Sequence, residues 1–378
     1  MTEVFITSDN IFSPLGISSA ENFAQLKVSV SGVKRHEDPT MSDQPFYASL
    51  FNREDASLHD DAKNKFTKFE KLLIASISDA LQDSGVNTRD NKTVLIISST
   101  KGNISLLESG TPGKELNKRI ALTTSAKLVA DHFHFVNQPI IISNACISGV
   151  LAIVTGMRMI QSGHYENAVI AGADVISKFV LSGFQSFQAI SDGVCKPFDA
   201  ARTGINLGEG AGTVILSSQK KYSCGIKVSA GSVSNDANHI SGPSRTGEPL
   251  FAAIRKSLKN ADLSPSVIDL ISAHGTATVY NDEMEAKAIT LANMQSAPVN
   301  SLKAYYGHTL GAAGVIESVV SIHSMKENII LPTMGFQNLG VTKPINICAS
   351  LLKTSIKNCL KTASGFGGCN AAVIFSKQ

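Results

Sequence analysis

Four short runs of apolar, largely β-branched residues mark the N-terminal part of the chain: Val94 to Ser98, Pro139 to Ser143, Ala168 to Ala173 and Ala211 to Leu216. Runs without polar alternation predict strands buried on both faces. Between them the spacing lengthens. Phe66, Phe69, Leu73, Ile77 and Leu81 recur every three or four residues and predict a helix with one apolar face, stopping at Gly85. Ala145 to Gln161 predicts a second, more buried helix. After Leu216 the chain turns polar, and then the same grammar restarts. Ile226 to Ala230 and Val267 to Ala273 read as strands, Pro249 to Asn260 and Asp282 to Asn293 as helices. Gly311 to Met325 is a further helix and Ala371 to Phe375 a closing strand. The simplest account is an α/β protein of two similar halves, residues 1–220 and 221–378, joined near 217–225.

Composition narrows the function classes. The 378 residues are 43% apolar and 17% charged, which suits a globular chain and excludes a disordered one. The net charge of +3 comes from 34 basic and 31 acidic residues, too balanced for a dedicated nucleic-acid binder. The six cysteines form no Cys-x-x-Cys pair, so neither a zinc knuckle nor a disulfide framework is expected. The start lacks a basic leader, and Cys146 to Ile160, the most apolar stretch, is too short to span a bilayer. The expectation is a soluble cytoplasmic protein.

Four segments carry chemistry. Ser143-Asn144-Ala145-Cys146-Ile147-Ser148-Gly149 lies between a strand and a helix, so Cys146 stands at a helix N-terminus. There a thiolate is favoured and the thiol pKa is expected to fall. Cys146 is either a nucleophile or a buried structural cysteine. His274-Gly275-Thr276-Ala277-Thr278 follows a strand and enters a loop, where side chains work or merely tie down their own turn. Lys303 precedes Gly307-His308-Thr309-Leu310-Gly311-Ala312-Ala313-Gly314, whose small residues permit close approach of a backbone or an extended ligand. Ser364-Gly365-Phe366-Gly367-Gly368-Cys369-Asn370 is a glycine-dense turn with one aromatic residue.

Taken in order, these four segments resemble the β-ketoacyl-acyl-carrier-protein synthases of the elongating fatty-acid and polyketide type. Lys196-Pro197-Phe198-Asp199-Ala200-Ala201-Arg202, Gly208-Glu209-Gly210-Ala211-Gly212 and the opening Val4-to-Gly16 stretch extend the likeness over essentially the whole chain. The resemblance implies the thiolase fold, with two βαβαβαββ halves in a five-layer α-β-α-β-α sandwich, and a dimer. It implies that Cys146 takes an acyl chain from the phosphopantetheine of an acyl carrier protein. His274 and His308 would then promote decarboxylation of a malonyl-carrier and hold the enolate oxygen, and the product is a 3-oxoacyl chain. The amides of Cys146 and Phe366 would form the oxyanion hole, and Lys303 and Glu317 would support the histidines. Thr276, Thr278 and Ser364 would line the pantetheine and substrate path. No metal and no cofactor beyond the carrier's own arm is implied. Lys63, Lys65, Lys68 and Lys71, around the first long helix, would dock the acidic carrier, or else form a solvated face.

Departures bear on the substrate. Asn144 replaces a Thr, Thr203 an Asp and Ser364 a Phe of elongating relatives, and the stretch from Ser105 to Lys127 is short. A small hydroxyl side chain at Ser364 is expected to leave a wider, more polar tunnel mouth, suited to polyene or aryl-polyene chains. Fatty-acid elongation proper, a non-decarboxylating thiolase with Cys369 as base, and a chain-length partner subunit in a heterodimer remain as alternatives.

Overall fold

Ten strands form one mixed sheet in this computed structural model, which describes residues 2–52, 65–237 and 241–378. In chain order they are β1 (Phe5–Phe12), β2 (Thr93–Ser98), β3 (Ile140–Ile142), β4 (Asn167–Asp174), β5 (Gly210–Ser217), β6 (Ile226–Asn235), β7 (Leu270–Ser272), β8 (Val299–Asn300), β9 (Asn358–Gly365) and β10 (Cys369–Lys377). Their spatial order is β8-β7-β9-β10-β6-β1-β5-β4-β2-β3. Counted outward from the centre, each half runs first, fifth, fourth, second, third. The directions repeat as well: in each half the first two pairings are antiparallel and the next two parallel. The halves join through β1 and β6 at one register pair, Phe5 with Lys227.

The helices used below are α1 (Lys68–Gln82), α2 (Leu122–His132), α3 (Ser148–Gln161), α4 (Lys178–Ser186), α5 (Glu248–Ala261), α6 (Val279–Leu291) and α7 (Ala313–Glu327). Alternate residues of one strand enter different cores. Val94 and Ile96 face α3 and α7, while Leu95 and Ile97 face α1 and α2. In the second half Ala363 and Val373 meet α3 and α7, while Leu360 and Ile374 meet α5 and α6. This accounts for the apolar runs: every side chain leaves water, whichever face it takes, at about 25 cal/mol per Å² buried. Helices outside, half-sheet, the α3–α7 pair, half-sheet and helices outside make five layers.

The middle layer depends on small residues. A Cβ at Gly314 would sit 2.4 Å from the Val150 nitrogen, and one at Gly149 would sit 2.6 Å from the Val315 nitrogen. The helices therefore meet backbone to backbone, and each begins beside the catalytic segments. On the outer face Thr67 and Glu70 form a capping box at the start of α1. Glu70 is buried, and Arg119, Ser125 and Asn103 all bond its carboxylate, which pins the short 105–127 stretch onto α1.

Several elements differ from the sequence expectation. Helix α3 starts at Ser148 rather than Ala145, because Ala145 takes a positive φ of 44° and the chain turns before it coils. Strand β1 was masked by Thr7, Ser8, Asp9 and Asn10. The Asp9 carboxylate is buried against His323 at 2.7 Å and Lys326 at 3.1 Å. Strand β9 was hidden by Lys361 in its middle. Among the described residues no helix is long and apolar enough to cross a membrane.

Candidate active site

The sharp turn between β3 and α3 presents Cys146. Ser148 holds it closed: its hydroxyl donates to the Ala145 carbonyl at 2.6 Å and accepts from the Asn144 amide at 2.7 Å. A positive φ at a non-glycine residue costs about 1–2 kcal/mol, and these bonds offset it. The Cys146 side chain lies at the floor of a 390 Å³ cavity. Burial is the dominant influence on its thiol and pushes the pKa up to about 12, with Cys369 and Asp174 adding to the rise and Lys303 and Lys101 opposing it. This corrects the expectation of a lowered pKa. The helix terminus is present, but removing the sulfur from water outweighs it, because an anion loses more hydration than a few amide dipoles return. The resting residue is a thiol.

Two histidines face it. The His274 and His308 rings meet edge to face with centroids 5.1 Å apart. One nitrogen of each ring and the Cys146 Sγ lie within 4.8 Å of one another. Burial first, and then Lys303, holds both imidazoles well below the usual histidine range, so both are neutral. Among the described residues neither His308 nitrogen has a hydrogen-bond partner, although the ring is buried. A buried donor left open costs about 1–3 kcal/mol and marks a place where a ligand oxygen sits. Gly307 delivers this ring: its φ is +66°, and a Cβ there would lie 2.2 Å from the Leu207 carbonyl oxygen. The same three side chains could meet a soft metal ion, but the two buried ammonium groups behind them oppose a cation, and no fourth ligand adjoins among the described residues.

The segment Ser272 to Thr276 carries His274 between opposite charges. On its amide side, Glu285 accepts from the His274 amide at 2.8 Å and the Gly275 amide at 2.6 Å, and Asp282 accepts from the Thr276 amide at 3.0 Å. On its carbonyl side, Lys303 Nζ donates to the His274 carbonyl at 2.9 Å and pairs with Glu317. Lys303 and Glu317, assigned by resemblance to support the histidines, thus stand behind the His274 backbone. Sequence reading missed Glu285, Asp282 and Lys361. A lone lysine inside Cys359-Leu360-Lys361-Thr362-Ala363, just ahead of the glycine turn, was the available signal.

The cavity mouth is aromatic. Phe366, on the turn between β9 and β10, stacks with Phe184 at 6.0 Å and 24° and meets Phe187 at 5.6 Å and 64°. Thr276 and Thr278 lie on the same wall and bond each other at 2.8 Å. Ser364 also lines the cavity, but its hydroxyl donates to the Asn370 Oδ1 at 2.8 Å. The hydroxyl proton is thus taken up within the hairpin. Cys369 directs its sulfur to the Phe366 carbonyl at 3.3 Å and to the Asn144 carbonyl at 3.7 Å. A larger groove of 1130 Å³ beside Phe12 to Ile17 contains none of these residues.

The lysines predicted to dock a carrier separate into three cases. Lys63 lies outside the described residues. Lys68 pairs with the buried Glu209 at 2.7 Å, where Glu209 also holds the Phe51 and Ile176 amides, so it serves the fold. Lys65 is exposed, ahead of α1, with its ammonium over the Phe66 ring at 5.2 Å, and Lys71 is half-buried on α1, one turn beyond Lys68.

A thiol that must pass its proton to a neighbour, with two neutral imidazoles around one open oxygen site, serves acyl transfer; on this duplicated sandwich it defines a thiolase-fold condensing enzyme. Residues 2–221 match the β-ketoacyl synthase N-terminal domain and residues 226–337 the β-ketoacyl synthase C-terminal domain. The chain belongs to the β-ketoacyl synthase family and is an acyltransferase. It is 28% identical to 3-oxoacyl-[acyl-carrier-protein] synthase 2 of Rhizobium meliloti, over 100% of this chain and 99% of that one. It is also 28% identical to the synthase of the same name from Vibrio cholerae, over 99% of each. In fold it is similar to the ishigamide ketosynthase/chain length factor, with TM-score 0.90, 23% identity and coverage of 100% and 99%. The ketosynthase of Xenorhabdus doucetiae in complex with its chain length factor gives TM-score 0.87 at 24% identity, over 100% and 98%.

The raised thiol sets a pH test. Iodoacetamide alkylation of Cys146 in the resting enzyme, followed by intact mass, rises about tenfold per pH unit from about pH 7 to about pH 9 without levelling. A plateau below about pH 8 would show a preformed thiolate and contradict the burial argument.

Proposed function

We propose that the protein is a 3-oxoacyl-[acyl-carrier-protein] synthase that condenses a Cys146-bound acyl chain with malonyl-carrier. The observation that carries this reading is the convergence of Cys146, His274 and His308 within 4.8 Å at the floor of one cavity. In the first half-reaction Sγ bonds the acyl carbon, the carrier's thiolate leaves, and the Cys146 proton passes through a neutral imidazole to that thiolate. The amides of Cys146 and Phe366 stabilise the tetrahedral oxygen. In the second, the malonyl carboxylate departs as CO₂ and its electron pair forms an enolate held by the His274 and His308 N–H groups. The carbanion attacks the acyl carbonyl, and Cys146 leaves as thiolate. Neutral imidazoles suit this step, since an imidazolium would bind the carboxylate that must depart and stabilise the ground state. No metal or resident cofactor enters these steps, and the cytoplasm, where six free cysteines are stable, is the compartment.

The acyl substrate is a planar conjugated or aryl chain. Phe184, Phe187 and Phe366 form an aromatic wall, and aromatic pairs contribute about 0.5–1.5 kcal/mol beyond their area. A second chain, either a copy of this one or a related synthase subunit, covers β3. Among the described residues that strand bonds only β2 and no strand adjoins its outer edge, and its three isoleucines are half-buried. Sedimentation of the purified chain, alone and with a co-expressed relative, distinguishes the two.

Three outcomes are expected. Cys146→Ala abolishes self-acylation, while His274→Ala and His308→Ala keep acyl loading and lose about 10²–10³ in malonyl decarboxylation. Both are read by the mass of the enzyme and of the carrier. Condensation by Cys146→Ala would remove the nucleophile assignment. Carrier docking rests on Lys65 and Lys71: reversing both to Glu slows loading from acyl-carrier, most at low salt, and spares loading from a small thioester. Equal loss from both donors would point to the pocket instead. With acyl-carriers of equal length, the wild type prefers conjugated over saturated chains by about tenfold, and Phe187→Ala or Ser364→Phe narrows the ratio. A saturated preference left unchanged by both substitutions would return the reading to fatty-acid elongation.

A further inference from the structure

The fully buried Lys361 has no part in the reaction as described above. It sits in the middle of β9, opposite Ser272 of β7, in a strand buried on both faces. Its Nζ donates to the Ser272 carbonyl at 3.2 Å and the Ala273 carbonyl at 3.1 Å, and pairs with Glu317 Oε2 at 2.6 Å. Lys303 takes the next carbonyl, that of His274, and the other oxygen of Glu317. Three successive carbonyls leaving one strand are thus held by two ammonium groups that share one carboxylate.

We propose that Lys361 is a positioning residue for decarboxylative condensation: by sharing Glu317 with Lys303 it clamps the stem of the His274 loop and leaves a surplus positive charge buried behind the two histidines. The inference rests on the reaction proposed above. On the carbonyl side of the loop two ammonium groups stand against one carboxylate. Glu285 is committed to the opposite side, through the amides of His274 and Gly275 and the side chains of Asn281 and Thr362. The lysines themselves do not enter the cavity; every Nζ contact is to a carbonyl or to Glu317. What reaches the site is their field, which acts on both imidazoles in the same direction as burial. It keeps them as neutral N–H donors when the pH falls. The groups around Lys361 are Glu317 from α7, Lys303 from the segment after β8, Glu285 from α6, Cys359 on its own strand, and the two histidines.

The test compares decarboxylation of malonyl-carrier with acyl loading of Cys146 from a short thioester, each across about pH 5.5 to 8. Lys361→Met removes the charge at nearly constant volume. The imidazoles then bind protons more readily, so activity is lost at a higher pH as the solution is acidified. The acidic limb of decarboxylation moves up by about one unit, while loading stays within about twofold. Lys361→Gln keeps a donor for the carbonyls but not the charge, and shows the same shift. In Glu317→Gln with Lys361→Met, Lys303 alone restores the surplus, and the limb returns toward its original position. A purely structural lysine predicts otherwise: loading and decarboxylation fall together, the limb stays put, and the double variant is worse than the single. That pattern overturns the inference, as does a limb unmoved in both single variants. If the wild type itself releases no CO₂ from malonyl-carrier, it is the proposed reaction that fails.

Discussion

Burying two ammonium groups and their shared carboxylate is the constraint around which the site is organised. Each ion taken from water costs several kcal/mol, repaid only when every remaining donor and acceptor finds a partner. Here Lys303 and Lys361 find them in three consecutive backbone carbonyls at the end of β7, and Glu317 finds them in the two ammonium groups. The amides of the same segment turn the other way, to Glu285 and Asp282. A loop that would otherwise be mobile is fixed from both sides by charges too costly to expose. His274 inherits that rigidity, and preorganised donors are what an enolate-forming site requires. Asp282 feels the cost too: burial is the first cause of its rise to about 7.

The same low-polarity surroundings explain the state of the nucleophile. Cysteine at a helix N-terminus is expected to ionise easily, and in an open site it would. At Cys146 the sulfur is enclosed by the turn, by the Gly365-to-Cys369 hairpin and by two neutral rings. A resting thiol reacts only slowly with water-borne electrophiles, through its small thiolate fraction. In the proposed reaction it becomes a nucleophile when a thioester sits beside it and a histidine takes the proton. One environment thus holds the thiol protonated and the imidazoles unprotonated, a complementary pair for proton transfer.

Architecture makes this convergence possible. The nucleophile comes from the first half and both histidines from the second, and each half repeats the same strand order. The α3–α7 pair brings them together because Gly149 and Gly314 allow the two backbones to touch. Any side chain there would push apart the two helices beside which Cys146 and His308 stand.

Much of this was legible in the sequence. Apolar runs marked strands whose two faces enter different cores, and the restart of the pattern after Leu216 marked the repeated half. Cys146, His274, Lys303 and His308 stood out because their segments follow one another in the order of a known family, whereas each segment alone also fits a structural role. Tertiary structure alone decided the rest, because those properties depend on neighbours far apart in the chain. Lys68 serves the fold through Glu209, 141 positions away. The Ser364 proton is taken by Asn370 across a hairpin. Lys361 could be recognised only once β9 was laid beside β7, and the Cys146 thiol is raised by desolvation, a property of the enclosing cavity that local motif geometry does not reveal.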